Sequence, residues 1–278
     1  SAESVKNDYE FYTGKKAVIF PGLQYVFGTQ YQSDDLHIRR IQALNECLKG
    51  VDALIVPFDS IMFNIAPPKM LIDLKITIEA GKCYSIDEIR KKLVLCGYKA
   101  VSEINSKGEF FIHGGIIDIF PLNGENSVRI DFFDNEVETI RLVEPVSQRS
   151  VERIKSIEIL PISEICATEE TLINAGQILS DEVIKFNKSS KNREAVQQAT
   201  DIFIPMAQKL KNGIYPLNSD QLMPYVYPEY SSVLDYMPPN TLVVFDEIKV
   251  LKERSDNLEQ EFNQNITHLI QEGKALVR

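Results

Sequence analysis

From Glu109 to Arg141 the chain reads EFFIHGGIIDIFPLNGENSVRIDFFDNEVETIR. Runs of Ile, Val and Phe cut by turn residues predict a β-meander. One run ends at Phe120-Pro121, and Asn123-Gly124-Glu125-Asn126 supply a turn. A second run, Val128 to Phe133, turns at Asp134-Asn135-Glu136 into a third. Successive side chains of a strand point to opposite faces, so Val128, Ile130 and Phe132 share one face and Arg129, Asp131 and Phe133 the other. The first trio is a core face. The second is either a solvated face with a stray aromatic, since single exposed apolar residues are common, or a docking surface, since aromatic and Arg side chains anchor protein interfaces. Alternation leaves both open. His113 closes the first part of the meander with Gly114-Gly115, and paired glycines in a strand indicate a bulge or a close backbone approach.

Before the meander, Ala17–Phe20 and Ala53–Val56 are short apolar runs, each ended by proline (Pro21, Pro57), and read as buried strands. Between them Tyr25–Gln32 reads as a loop, and Ser33 caps a helix through Leu36, Ile41, Leu44 and Leu48 that Gly50 stops. Strand, helix and strand in that order predict a parallel α/β sheet. Ala66-Pro67-Pro68-Lys69 breaks the pattern. Ile72, Leu74, Ile76 and Ile78 alternate as a strand would. Ser85-Ile86-Asp87-Glu88 has the spacing of a capping box for a helix through Ile89, Leu93 and Cys96. Beyond Pro161, Thr168-Glu169-Glu170 opens a helix, and a further helix spans about 191–213 with a kink expected at Pro205. Tyr215–Pro239 reads as irregular, Thr241–Phe245 as another buried strand, and Val250–Gly273 as a polar amphipathic helix. Three parts follow: residues 1–68 and 162–278 as two halves of one α/β domain, and residues 69–161 as an α+β domain that interrupts it.

The chain has 278 residues, 44% hydrophobic and 25% charged, an ordinary globular balance. Its formal charge of -10 repels phosphate backbones on average, which argues against autonomous nucleic-acid binding. No apolar run approaches the roughly 20 residues of a membrane helix. No signal-peptide pattern opens the chain, and Ser1-Ala2 reads as a remnant of cloning. Cys47, Cys83, Cys96 and Cys166 show no C-x-x-C spacing, so reduced thiols in a cytoplasmic protein are expected. His37, His113 and His268 lack ligand spacing, and neither a metal site nor a cofactor is expected.

Thr13-Gly14-Lys15-Lys16 is no phosphate loop. It precedes a strand, lacks the first glycine and has Lys16 where a hydroxyl should hold magnesium. Asp246-Glu247, at the end of an apolar run, resembles the magnesium-binding acidic motif of ATPase cores. Without a phosphate loop these two carboxylates read as vestigial, and no catalytic residue is expected.

GEFFIHGGIIDIFP, then VRIDFFDNEVETIR, then Gln148-Arg149-Ser150 closely resembles the N-terminal region of the bacterial transcription-repair coupling factors, the Mfd family, which is related to UvrB. The resemblance implies a degenerate P-loop-ATPase-like, UvrB-like parallel-sheet domain that does not hydrolyse ATP, interrupted by a small UvrA-binding domain. It implies UvrA contacts at Arg129, Asp131 and Phe133, where the family has Arg, an acidic residue and Phe-Phe. Where the family has an Arg before Gly-Gly, this chain has His113, which is shorter and mostly neutral at pH 7. Asp131 is expected to hold Arg129 or to meet a partner cation. The family's contacts with RNA polymerase and DNA belong to domains absent from these residues. UvrB itself carries a long aromatic hairpin for which the stretch between Pro21 and Asp34 is too short. The leading expectation is a non-catalytic adaptor that brings UvrA to stalled transcription. An ATP-dependent UvrB-type damage-verification protein and an α/β scaffold without a partner are the alternatives.

Overall fold

A computed structural model describes residues 1–22, 34–145, 147–162, 167–214, 222–227, 229 and 231–276. The chain divides into two compact units, one comprising Ser1–Gln32, Cys47–Ile65 and Glu169–Arg278, the other Ser33–Glu46 and Ala66–Thr168. The expected loop at Tyr25–Gln32, the Ser33 cap and the stretch judged too short for a UvrB-type hairpin lie outside the described residues.

The first unit opens with helix α1 (Ala2–Thr13). Gly14 ends it in the left-handed region, φ 68°, its N–H bonded to the Glu10 carbonyl. The Thr13–Lys16 segment is therefore a helix C-terminus and no phosphate cradle. Strands β1 (Ala17–Ile19) and β2 (Ala53–Ile55) pair in parallel, Ala17 opposite Ala53, as the strand–helix–strand order predicts. Between them in sequence, helix α2 (Asp34–Lys49), most of which belongs to the second unit, stops where Gly50 takes φ 97°. Among the described residues this parallel sheet has only those two strands.

Thr241–Phe245 is not the buried strand its apolar run predicts. Among the described residues the segment pairs with no strand, and its side chains are exposed, Leu242 at 85% and Val244 at 79%. An apolar run becomes a strand only where a neighbour supplies backbone partners, and none of the described residues does so here.

Helix α3 (Phe58–Ile61) follows β2. In the second unit, helix α4 (Pro68–Leu74) occupies the stretch where alternation suggests a strand. Proline suits the first turn of a helix, where an N–H has no intrahelical partner, and Leu71 and Leu74 fall on one buried side while Ile72 is exposed. Only Ile76–Glu79 forms the strand, β3. Ser85 caps helix α5 (Ile86–Leu95) by accepting the Glu88 N–H at 3.4 Å, which is the first half of the expected capping box.

The meander has more strands than its sequence suggests. Strands β4 (Lys99–Ala100), β5 (Glu109–His113), β6 (Ile116–Ile119), β7 (Ser127–Phe133), β8 (Glu136–Val143) and β9 (Ser150–Ile154) form one six-stranded sheet in that order. All neighbouring pairs are antiparallel except β4–β5. The run from Glu109 to Phe120 is thus a hairpin and not a single strand. Gly114, at φ 58°, turns it, and His113 pairs with Ile116 across a two-residue loop, a geometry that needs positive φ. Strand β10 (Ser156–Ile159) returns to pair antiparallel with β3.

One face of this sheet is sealed. Phe110, Ile117, Ile119, Val128, Ile130, Val137 and Ile140 pack with Ile89 and Leu93 of α5 into one core. Its edge is fixed by buried polar contacts. The Tyr98 hydroxyl donates to the Leu160 carbonyl at 2.9 Å, and the Cys96 thiol donates to the Leu74 carbonyl at 3.2 Å.

The first unit resumes with helices α6 (Glu169–Ser189) and α7 (Arg193–Lys211). They pack closely at Gly176, where a Cβ would lie 2.7 Å from the Ala207 carbonyl oxygen. Helix α7 continues through Pro205. A short helix α8 (Met223–Val226) and a 3-10 turn (Val233–Tyr236) come next, and Asn64 ties this region to the α3 segment by accepting the Ser231 N–H at 2.8 Å. Helix α9 (Ile248–Gln271) ends the unit, with Arg254 in a two-bond pair to Asp59. Among the described residues no helix is long and apolar enough to cross a membrane.

Candidate protein-docking face

Alternation along β7 holds. Val128 and Ile130 are sealed, with Phe132 packed against the same core, while Arg129 and Asp131 are half-buried on the opposite face and Phe133 is 72% exposed. The phase survives a bulge at Asp131/Phe132. Asp131 pairs with Thr139 but Phe132 pairs with Val137, so the extra residue sits on β8 and β7 stays regular.

Register assembles the outer face from several strands. Asp118 of β6 lies directly opposite Arg129, and Arg129 directly opposite Arg141 of β8. Asp118 accepts from both ends of the Arg129 guanidinium, Nε to Oδ1 at 2.7 Å and Nη2 to Oδ2 at 2.8 Å. This bidentate, charge-assisted geometry is the strong form of an ion pair. It holds the Arg129 guanidinium above its usual pKa range, the Asp118 hydrogen bonds being the largest cause.

Asp131 is held by different partners from those expected. Arg141 donates to it from Nη2 at 2.8 Å and 3.0 Å and from Nε at 3.2 Å, and Thr139 adds a hydroxyl at 2.5 Å. The Asp131–Arg129 pairing is therefore corrected to Asp118–Arg129 and Asp131–Arg141. Neighbours two apart on one strand lie farther apart than directly opposed residues on adjacent strands. Asp118 and Arg141 were missed in the sequence. The available signal was a charged residue at an alternate position in each apolar run, Ile-Ile-Asp-Ile and Ile-Arg-Leu.

Two hairpin tips meet at one end of the sheet. His113 is exposed beside Gly114-Gly115, its ring tilted against Phe111 with centroids 6.1 Å apart. Phe133 precedes the turn at Asp134, φ 52°, and Asn135. Gly115 lets the two tips touch. Its carbonyl accepts the Phe132 N–H at 2.7 Å, and a Cβ on Gly115 would lie 2.8 Å from the Phe132 carbonyl oxygen. The glycine pair is thus both a turn and the close approach that the sequence suggested. The Tyr84 N–H bonds to the Asn135 carbonyl at 2.8 Å and braces the second tip.

Gln148, at φ 56°, and Arg149 close the β8–β9 turn, where the Glu144 N–H bonds to the Arg149 carbonyl and the Ser147 hydroxyl bonds to Glu144. Asp246 and Glu247 lie elsewhere, in the first unit, exposed on the approach to α9.

The outer face of this sheet thus offers two clamped ion pairs and an exposed phenylalanine. Residues 76–165 match the family described as the UvrB interaction domain. Over most of its length the chain is homologous to transcription-repair-coupling factors, the Mfd proteins. It is 32% identical over 248 residues to that of Bacillus subtilis (strain 168), covering 88% of this chain and 21% of the relative. It is 30% identical over 253 residues to that of Staphylococcus aureus (strain MRSA252), with the same coverage, 88% and 21%. The chain thus spans about a fifth of the length of the curated relatives it matches.

Proposed function

We propose that the outer face of β6–β8 and the adjoining hairpin tips dock UvrA, so that this chain acts as the non-catalytic adaptor through which a transcription-repair-coupling factor recruits nucleotide-excision repair in the cytoplasm. Phe133 carries the reading. A large aromatic left 72% exposed at the end of a strand whose other outward residues are all engaged is the usual anchor of an interface. Arg129 and Asp131 flank it as pre-oriented polar groups, and His113 stands on the neighbouring tip in place of the family's arginine.

The α/β unit serves this adaptor as a degenerate UvrB-like core, with Asp246 and Glu247 as vestiges without a nucleotide to act on. Polymerase binding and DNA translocation fall to other parts of the longer proteins. Calorimetric titration with purified UvrA tests the site. Phe133→Ala should weaken binding by about 2 kcal/mol or more with an unchanged circular dichroism spectrum. Wild-type affinity in that variant refutes the assignment.

A further inference from the structure

The cross-strand row that contains Arg129 does not stop at β8. Register places Asp118, Arg129, Arg141 and Arg153 directly opposite one another on β6, β7, β8 and β9. Ile154, next to Arg153, packs against the core, so Arg153 projects from the same outer face as Arg141. Three arginines then occupy adjacent cross-strand positions, at the roughly 5 Å spacing of neighbouring strands. Like charges directly opposite one another destabilise a sheet. Asp118 neutralises Arg129 and Asp131 neutralises Arg141. Arg153 is exposed and has no carboxylate partner among the described residues. Along the row from Asp118 to Arg153, Arg153 is thus the arginine without a counter-charge among the described residues.

We propose that the docking face extends across β8 to the sheet edge, and that Arg153 takes a carboxylate of the partner. This rests on the reading of the face as a UvrA-docking surface and adds to it the sign of the partner. The opposing patch carries an acidic side chain over β9, completing the alternation of charge that Asp118 and Asp131 begin. Arg129 and Arg141 already have a counter-charge within the sheet. Arg153 keeps all of its donors.

The test uses UvrA titrations of wild type, Arg153→Glu, Arg153→Gln and Phe133→Ala at low and moderate salt. Arg153→Glu should weaken binding about tenfold. It should melt no lower than wild type, because the new carboxylate faces Arg141 across the strands. Arg153→Gln should weaken binding less and flatten its dependence on ionic strength, since one exposed charge pair is removed. Wild-type affinity and an unchanged salt slope in both Arg153 variants, with binding lost in Phe133→Ala, overturn the extension and leave the docking site standing. Wild-type affinity in all three variants overturns both.

Discussion

Asp118 and Arg129 face one another across β6 and β7 and close two parallel hydrogen bonds of 2.7 and 2.8 Å. The pair is less than one-third exposed on both sides, so the carboxylate fixes the guanidinium rather than competing with water for it. On the proposed docking face Arg129 would meet a partner already oriented, which would lower the entropy lost on binding. Asp118→Ala should leave Arg129 half-buried without its counter-charge and destabilise the domain by about 1–3 kcal/mol. The Asp118→Ala/Arg129→Ala double variant should recover part of that loss. A double-mutant cycle by urea denaturation measures the coupling, and purely additive losses would show the pair to be inert.

Gly115 should not tolerate a side chain. An added Cβ would meet the Phe132 carbonyl oxygen at 2.8 Å, a backbone atom that cannot swing aside. Gly115→Ala should cost about 1–3 kcal/mol of stability and displace the tip that carries Phe133. Thermal melting reads the first effect and UvrA affinity the second. Gly114→Asn, at a left-handed position with open space, should be milder on both counts, because Asn accepts positive φ.

Glu109 predicts an acid-sensitive loop. Its carboxylate accepts the backbone N–H groups of Asn105 and Ser106 at 2.7 and 2.9 Å. The Asn105 bond is the largest cause of a pKa below the usual carboxylate range. A depressed folded-state pKa contributes stability above the unfolded value, roughly 4.3, and loses it as pH falls through the folded value. Melting between pH 6 and pH 3 should show a loss that Glu109→Gln lacks. Parallel curves for the two proteins would refute the link.

The thiols should separate by reactivity. Burial pushes the Cys96 thiol up to about 12, and its proton is donated to the Leu74 carbonyl. Only the thiolate attacks a disulfide reagent, so Cys96 should stay unmodified at pH 8 until the domain unfolds. Cys83 is exposed and should react at once. Peptide mapping after timed labelling distinguishes them, and early labelling of Cys96 would mean that this core opens readily.

The residues alone determined which side of β7 is core and which is offered outward. Strand side chains alternate whatever the neighbours are, and Val128, Ile130, Arg129, Asp131 and Phe133 carry that pattern without ambiguity. They also determined the Gly50 helix stop, where φ is 97°. Pairing was decided by the tertiary structure. Asp118, Arg141 and Arg153 join Arg129 only through the register of four strands, and register depends on turn lengths and on the bulge in β8. The same dependence explains the failures. Ile72 and Leu74 alternate like a strand but sit in a proline-initiated helix, and Thr241–Phe245 is apolar like a strand but has no strand neighbour among the described residues. A periodicity states which face a residue would take, and only a partner in space makes that face real.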